Sequence, residues 1–464
     1  MKRKILFLSL IILSILPASA QDITGQWNGI LKVSGIQLRI VFNITKTDTG
    51  YISTMDSPDQ GAKGIPVTST TFENLKLNLA ISSAGIEYEG EFKDSLFVGT
   101  FKQRGQSFPL DLSRDYIEKV KIVRLQEPVK PYPYYSEDVT FKNEKANIKI
   151  AGTLTLPAKE GNFPAVVLIT GSGPQNRDEE LLGHKPFLVI SDYLTRNGIA
   201  VLRYDDRGIA QSEGDFKTAT TADFATDVEA AITYLKTRKE INKKKIGLIG
   251  HSEGGIIAPM VASTSKDVSF IVLLAGTGIP GYQLLLLQQE LIGRASGVSE
   301  SDLQKSKEIN SAAFNIVVKS TNTETLRNDL TNYLTEKLKE SPDNQKPAGM
   351  SETDFIKLQV DQITSPWMQY FLKYDPAPAL EKVKCPVLAL NGEKDLQVPP
   401  KENLTAIKAA LRKGGNKNVT AIELPNLNHL FQECKTGLLA EYAQIEQTFS
   451  PVALEEVTKW INLR

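Results

Sequence analysis

Beginning near residue 136, short apolar runs alternate with segments of helical spacing. The runs are Ala165–Ile169, Ile199–Tyr204, Ile246–Ile249, Phe270–Leu274 and Pro386–Leu390. A strand with one solvated face would alternate polar and apolar residues, so runs that are apolar almost throughout belong to strands covered on both sides. Helix-spaced residues lie between them, such as Phe224, Val228, Ala231, Ile232 and Leu235 within Thr221–Arg238. The pattern predicts an α/β fold, a mostly parallel sheet with helices on both faces. From Ile279 to about Tyr374 the strand rhythm stops. Ser299-Glu300-Ser301-Asp302 and Ser351-Glu352-Thr353-Asp354 read there as helix N-caps with acidic first turns. An insertion of this length predicts a helical lid at about 280–375, in which Leu284–Leu287 reads as lid core.

The preceding part has a different period. Ile36–Ile40, Leu75–Leu79 and Ile86–Glu89 alternate, and Leu96–Phe101 follows them. Turn signals at Asp48-Thr49-Gly50, Ser57–Gly61 and Ala84-Gly85 separate these runs. This predicts an antiparallel meander of about six or seven strands over residues 21–120, closed into a small barrel or sandwich. Trp27, Tyr51 and Tyr88 read as its core aromatics. Pro128, Pro131 and Pro133 mark a semi-rigid linker over 121–135, and the α/β domain occupies 136–464.

Residues 1–20 read as a signal peptide: Lys2, Arg3 and Lys4, an apolar core from Ile5 to Leu16, then Ala18-Ser19-Ala20 before Gln21. The expectation is an exported, periplasmic or extracellular protein that is not membrane-bound after cleavage. Lys+Arg 54 balances Asp+Glu 54, which removes the basic excess of a nucleic-acid binder. Cys385 and Cys434 read as two unpaired thiols, with a bridge between them as the alternative.

Within the α/β part, Gly250-His251-Ser252-Glu253-Gly254 has the form G-x-S-x-G. It follows the run Ile246–Ile249 and precedes the helix-compatible Ile256–Ala262. In a strand-to-helix elbow the serine is exposed on a sharp turn that tolerates only small neighbours. Ser252 is the candidate nucleophile. A serine hydroxyl needs a base, and the chain has three histidines. His251 lies inside the elbow with its ring expected to point away from Ser252. His184 precedes the nucleophile and is expected near the site's mouth or on the surface. His429 is left as the base. Asp395, after the run Pro386–Leu390, is the acid that would orient it, with Glu393 as competitor and Asp375 read as structural. The oxyanion hole would use the backbone N–H of Glu253 and that of Ser172, or alternatively Gly173, in the loop Thr170–Pro174. Arg207 is expected to pair with Asp205 or Asp206 and brace the loops around the elbow. No H-E-x-x-H and no dense His/Cys cluster occurs, so neither a metal nor a cofactor is expected.

Gly250–Gly255, Arg203–Gly208, Gly392–Asp395, Asn428-His429 and the Thr170–Pro174 loop together resemble the α/β-hydrolase superfamily, and within it the bacterial EstD-type serine esterases. The leading β-domain, including Asp56–Gly61, is also similar to that family's. Ala210 departs from it, standing where relatives often carry Gly. The resemblance implies hydrolysis of small, short-acyl carboxylic esters through an acyl-enzyme. Serine peptidase chemistry of the prolyl-oligopeptidase type and acyl or thioester transfer are the alternatives, since both share the acyl-enzyme. A binding protein on a relic hydrolase scaffold is a further one.

Overall fold

The computed structural model describes residues 21–464 apart from 34–35, 61, 104–105, 119–122 and 341–350. The leader therefore lies outside the described residues. The chain divides into two compact units, one up to residue 118 and one from residue 123.

The first unit contains two antiparallel sheets. One has the order β1 (Gly25–Val33), β2 (Ile36–Thr47), β3 (Gly50–Ser57), β4 (Ala62–Pro66). The other has the order β5 (Ser69–Glu73), β6 (Lys76–Ile81), β7 (Ile86–Lys93), β8 (Leu96–Gln103), β9 (Gln106–Pro109). Alternation does its expected work: in β6, Leu77, Leu79 and Ile81 are buried while Lys76 and Asn78 are exposed. Residues from both sheets, including Trp27, Phe42, Tyr88 and Phe97, form one core. Trp27 and Tyr88 are thus core aromatics, and Tyr51 packs against the same cluster half-buried. The described strands number nine, above the six or seven expected. Tight turns at Asn74-Leu75 and Asp94-Ser95 both have left-handed φ (51°, 63°, 47° and 68°). Neither contains the glycine that flags such turns in a sequence.

The second unit is built on an eight-stranded sheet. Its order is β10 (Tyr135–Asn143), β11 (Ile148–Leu156), β13 (Ala200–Tyr204), β12 (Phe163–Ile169), β14 (Ile241–His251), β15 (Phe270–Leu274), β16 (Val387–Gly392), β17 (Val419–Leu424). From β13 to β17 neighbours run parallel; β10 and β11 form an antiparallel hairpin against β13. The apolar runs alternate faces as a doubly covered sheet requires. Ala165, Val167 and Ile169 pack toward α2 (Thr221–Thr237) and α3 (Gly254–Ala262), while Val166 and Leu168 pack toward α1 (Pro186–Arg196). Each fully buried Val, Leu or Ile contributes about 1.5–3 kcal/mol.

Between β15 and β16 lie α4 (Gly281–Ala295), α5 (Glu300–Lys319), α6 (Thr323–Glu340), α7 (Glu352–Ile363) and α8 (Pro366–Lys373). Ser299 and Ser351 cap α5 and α7 by accepting the Asp302 and Asp354 amides. These helices share a core of their own, with Phe314, Val317, Leu330, Val360 and Leu372 among its members. Leu284 is buried against the sheet core and Leu286 packs on the cap's, so the leucine run is interior. Short α9 (Ala377–Leu380) follows. Then α10 (Pro400–Lys413) joins the α2 face; short α11 (Leu439–Tyr442) and α12 (Pro451–Asn462) come after β17, with α12 on the α1 face. Cys385 and Cys434 are unpaired.

Candidate active site

Four loops leave the carboxyl ends of β12, β14, β16 and β17, the edge where an open α/β sheet places its chemistry. Ser252 follows β14 directly, with φ 53°, in the left-handed region that a non-glycine residue occupies only when its surroundings hold it. Its N–H donates to the Leu274 carbonyl (2.9 Å), which fixes the turn against β15. The helix α3 starts two residues later, and packing there is close. A Cβ on Gly254 would lie 2.2 Å from the Ile169 carbonyl oxygen, so no side chain fits.

The structure brings Asp395 and His429 together. Asp395 Oδ2 accepts from His429 Nδ1 at 2.8 Å, and Oδ1 accepts the Gln397 and Val398 amides, each at 2.8 Å. Both residues are buried. The His429 turn is set by Asn428, whose Oδ1 accepts the Leu430 and Gln432 amides. Among the described residues no hydrogen bond joins Ser252 Oγ to the His429 ring; in unliganded hydrolases that contact is often long. Instead the elbow meets the His429 loop through His251, whose Nε2 donates to the His429 carbonyl at 3.0 Å. The two imidazole centroids are 4.8 Å apart.

The loop after β12 sits on the nucleophile: a Cβ on Gly171 would fall 3.2 Å from Ser252 Cβ. The Gly171 N–H is occupied, donating to Glu179 Oε1 at 2.8 Å. The N–H groups of Ser172, Gly173 and Glu253 meet no acceptor among the described residues, which leaves them available to a developing oxyanion. The Glu253 side chain is buried beneath the elbow. Its Oε1 accepts from Thr221 Oγ1 (2.6 Å) and from Trp367 Nε1 (2.8 Å), which reaches down from α8 of the cap. Burial pushes its carboxyl above the usual range, against those two hydrogen bonds. Asp206 is raised well above its usual value, first by burial and further by the charges of Glu253 and Glu179.

Several residues stand elsewhere than the sequence suggests. Arg207 pairs with neither Asp205 nor Asp206. It makes a two-pronged contact with Asp227 of α2 (2.7 and 2.9 Å). The reason is that both neighbours are engaged: Asp205 is gripped by Arg177 (2.7 Å), and Asp206 accepts from Thr170 Oγ1 and the Gln175 amide. His184 is fully buried, not at a mouth or surface, with its ring bonded to Thr448 Oγ1 and the Tyr442 carbonyl. Glu393 accepts the Asn426 amide and holds a turn, and Asp375 accepts the Ala377 amide at the start of α9. Glu179 escapes sequence reasoning altogether, because Arg177-Asp178-Glu179-Glu180 looks like a solvated charged run. Trp367 and Thr221 likewise carry no motif. Among the described residues no cluster of His, Cys, Asp and Glu could hold a metal ion.

The model of the X-Pro dipeptidyl-peptidase (S15) family matches residues 146–430, a span that includes Ser252, Asp395 and His429. Esterase EstD of Thermotoga maritima is 27% identical over 309 residues, 66% of this chain and 62% of its own length. A putative carboxymethylenebutenolidase of Synechocystis is 28% identical over 148 residues, covering 31% of this chain and 59% of the relative. The chain thus spans less than two thirds of either relative. The solved Pyrococcus furiosus esterase Pf2001 superposes with a TM-score of 0.42 at 16% identity, over 75% of this chain and 99% of that one.

Proposed function

Because the chain belongs to the X-Pro dipeptidyl-peptidase (S15) family, we propose that it is a serine hydrolase acting on small, short-acyl carboxylic esters, with Ser252, His429 and Asp395 as its triad. The observation that carries the reading is the 2.8 Å Asp395–His429 pair at the same sheet edge as a serine held at positive φ. Ser252 Oγ attacks the ester carbonyl as His429 Nε2 takes its proton. Asp395, bonded to Nδ1, holds the ring in the tautomer that leaves Nε2 free to accept. The tetrahedral oxyanion is bound by the N–H groups of Glu253 and Ser172, with Gly173 as alternate, each donor supplying about 3 kcal/mol in the transition state. His429 returns the proton to the leaving alcohol, then activates water against the acyl-enzyme. Likeness to Esterase EstD supports esters as substrates. Ser252→Ala is expected to abolish turnover of p-nitrophenyl acetate and labelling by a fluorophosphonate probe while the protein stays folded; turnover within tenfold of the parent refutes the assignment.

The family description favours a second reading, release of X-Pro dipeptides. A comparison of an X-Pro p-nitroanilide with p-nitrophenyl acetate as substrates decides between them by kcat/KM. We also infer export, on the strength of residues 1–20. N-terminal sequencing of protein recovered outside the cytoplasm should begin at Gln21.

A further inference from the structure

We propose that Glu179 and His251 form a buried positioning pair that locks the oxyanion loop and the general-base loop into one geometry. The inference rests on the serine-hydrolase reading above and assigns it two further residues. Neither touches substrate in this scheme; both act through others.

The pair forms an unbroken chain of hydrogen bonds. The Gly171 N–H donates to Glu179 Oε1 (2.8 Å), His251 Nδ1 meets the same oxygen (2.9 Å), and His251 Nε2 donates to the His429 carbonyl (3.0 Å). One end is the loop that carries the Ser172 and Gly173 amides. The other end is the backbone of the proposed base. The middle is the residue directly before the nucleophile. Glu179, His251 and His429 are 3%, 6% and 5% exposed, so water does not substitute for any link.

The chemistry of one partner fixes a ring proton. A carbonyl oxygen only accepts, so His251 Nε2 carries hydrogen. Nδ1 faces the Glu179 oxygen that also accepts from Gly171, so the ring is held at both of its nitrogens. Burial alone would lower its proton affinity, but the Glu179 charge and hydrogen bond, the His429 carbonyl and the Asp395 charge hold it above the usual histidine value. The charged and titratable groups facing this ring are Glu179 from the β12–α1 loop, Asp395 from the loop after β16 and His429 from the loop after β17. Glu179 also sits at φ 51°, a backbone state that must be held by its surroundings and that clusters at functional sites.

Two consequences separate positioning from mere packing. Glu179→Gln keeps shape and an oxygen for Gly171 but removes the charge that raises the proton affinity of His251. Whatever positive charge His251 carries beside His429 is thereby reduced, which moves the acid limb of kcat/KM to higher pH. Loss of alignment lowers kcat while the KM for p-nitrophenyl acetate changes little. We expect kcat to fall tenfold or more in Glu179→Gln and in His251→Gln, with KM within twofold. Because both act on one chain of bonds, the double variant should be little worse than either single one. The proposal is overturned if Glu179→Gln folds and shows parental kcat and an unshifted acid limb, or if the two losses simply add. Should Glu179→Gln not fold, the same kcat and pH readings on His251→Gln decide it. Fluorophosphonate labelling keeps the two readings apart: persistence of turnover in Ser252→Ala sinks the serine mechanism, whereas parental behaviour of Glu179→Gln beside a dead Ser252→Ala sinks only the positioning pair.

Discussion

Asp395→Asn separates geometry from charge at this site. The aspartate uses its two oxygens differently: Oδ1 accepts the Gln397 and Val398 amides, each at 2.8 Å, and Oδ2 faces His429 Nδ1 at 2.8 Å. An asparagine has one oxygen and one NH2. Two backbone donors outbid one imidazole nitrogen, so the oxygen stays on the amides and the NH2 turns toward His429. A donor there requires Nδ1 to accept, which moves the imidazole proton to Nε2, the nitrogen that must take the serine's proton. The fold keeps its shape while the base holds the wrong tautomer. Such a swap in a serine triad costs about 10⁴ in kcat, or about 5 kcal/mol of transition-state stabilisation. The assay is initial-rate hydrolysis of p-nitrophenyl acetate by parent and variant, beside thermal melts of both. A folded Asp395→Asn enzyme with kcat within tenfold of the parent would refute the reasoning, since the imidazole would then not depend on this carboxylate.

Gly254→Ala places a methyl 2.2 Å from the Ile169 carbonyl oxygen; it should cost about 3 kcal/mol or more and lower Tm by about 6 °C or more in calorimetry. Glu253→Gln preserves the oxygen that accepts from Thr221 and Trp367 but never ionises. Burial raises the Glu253 carboxyl in the fold, so the stability linked to its protonated form is present at low pH and fades as pH rises through the folded value. The variant should therefore melt higher than the parent at pH 8 and level with it near pH 4; a gap that widens on acidification contradicts the sign. His184→Ala strands the Tyr442 carbonyl and Thr448 hydroxyl in the interior. It should lose about 2–4 kcal/mol of stability in denaturant titration with kcat per folded molecule unchanged, whereas His429→Ala should do the reverse.

Much of this was open to reading because it is periodic or scarce. The run Phe270–Leu274 coincides with β15, since a strand buried on both faces admits few polar residues. With three histidines, chain order sets His184 aside and a place inside the elbow sets His251 aside, which leaves His429. What escaped depends on partners distant in sequence. The β10–β11 hairpin has only a weakly alternating pattern over Tyr135–Asn143, and its turn uses Asn147 at φ 52° with no glycine. Arg207 passes over two adjacent aspartates for Asp227, because Arg177 and Thr170 reach those first, and no local pattern encodes that competition. Glu179 looks like surface charge because burial of a carboxylate is decided by what folds around it. His184 reads as a residue of the mouth or surface, and it is buried because the Thr448 hydroxyl and the Tyr442 carbonyl, both past residue 440, meet its two ring nitrogens.

The five cap helices enter after β15, leave before β16 and close on an interior of their own. Each end joins a strand that pairs with the other, so excision would leave two adjacent stumps in an otherwise continuous layer. The ladder between the two strands therefore does not depend on the length of what is inserted between them.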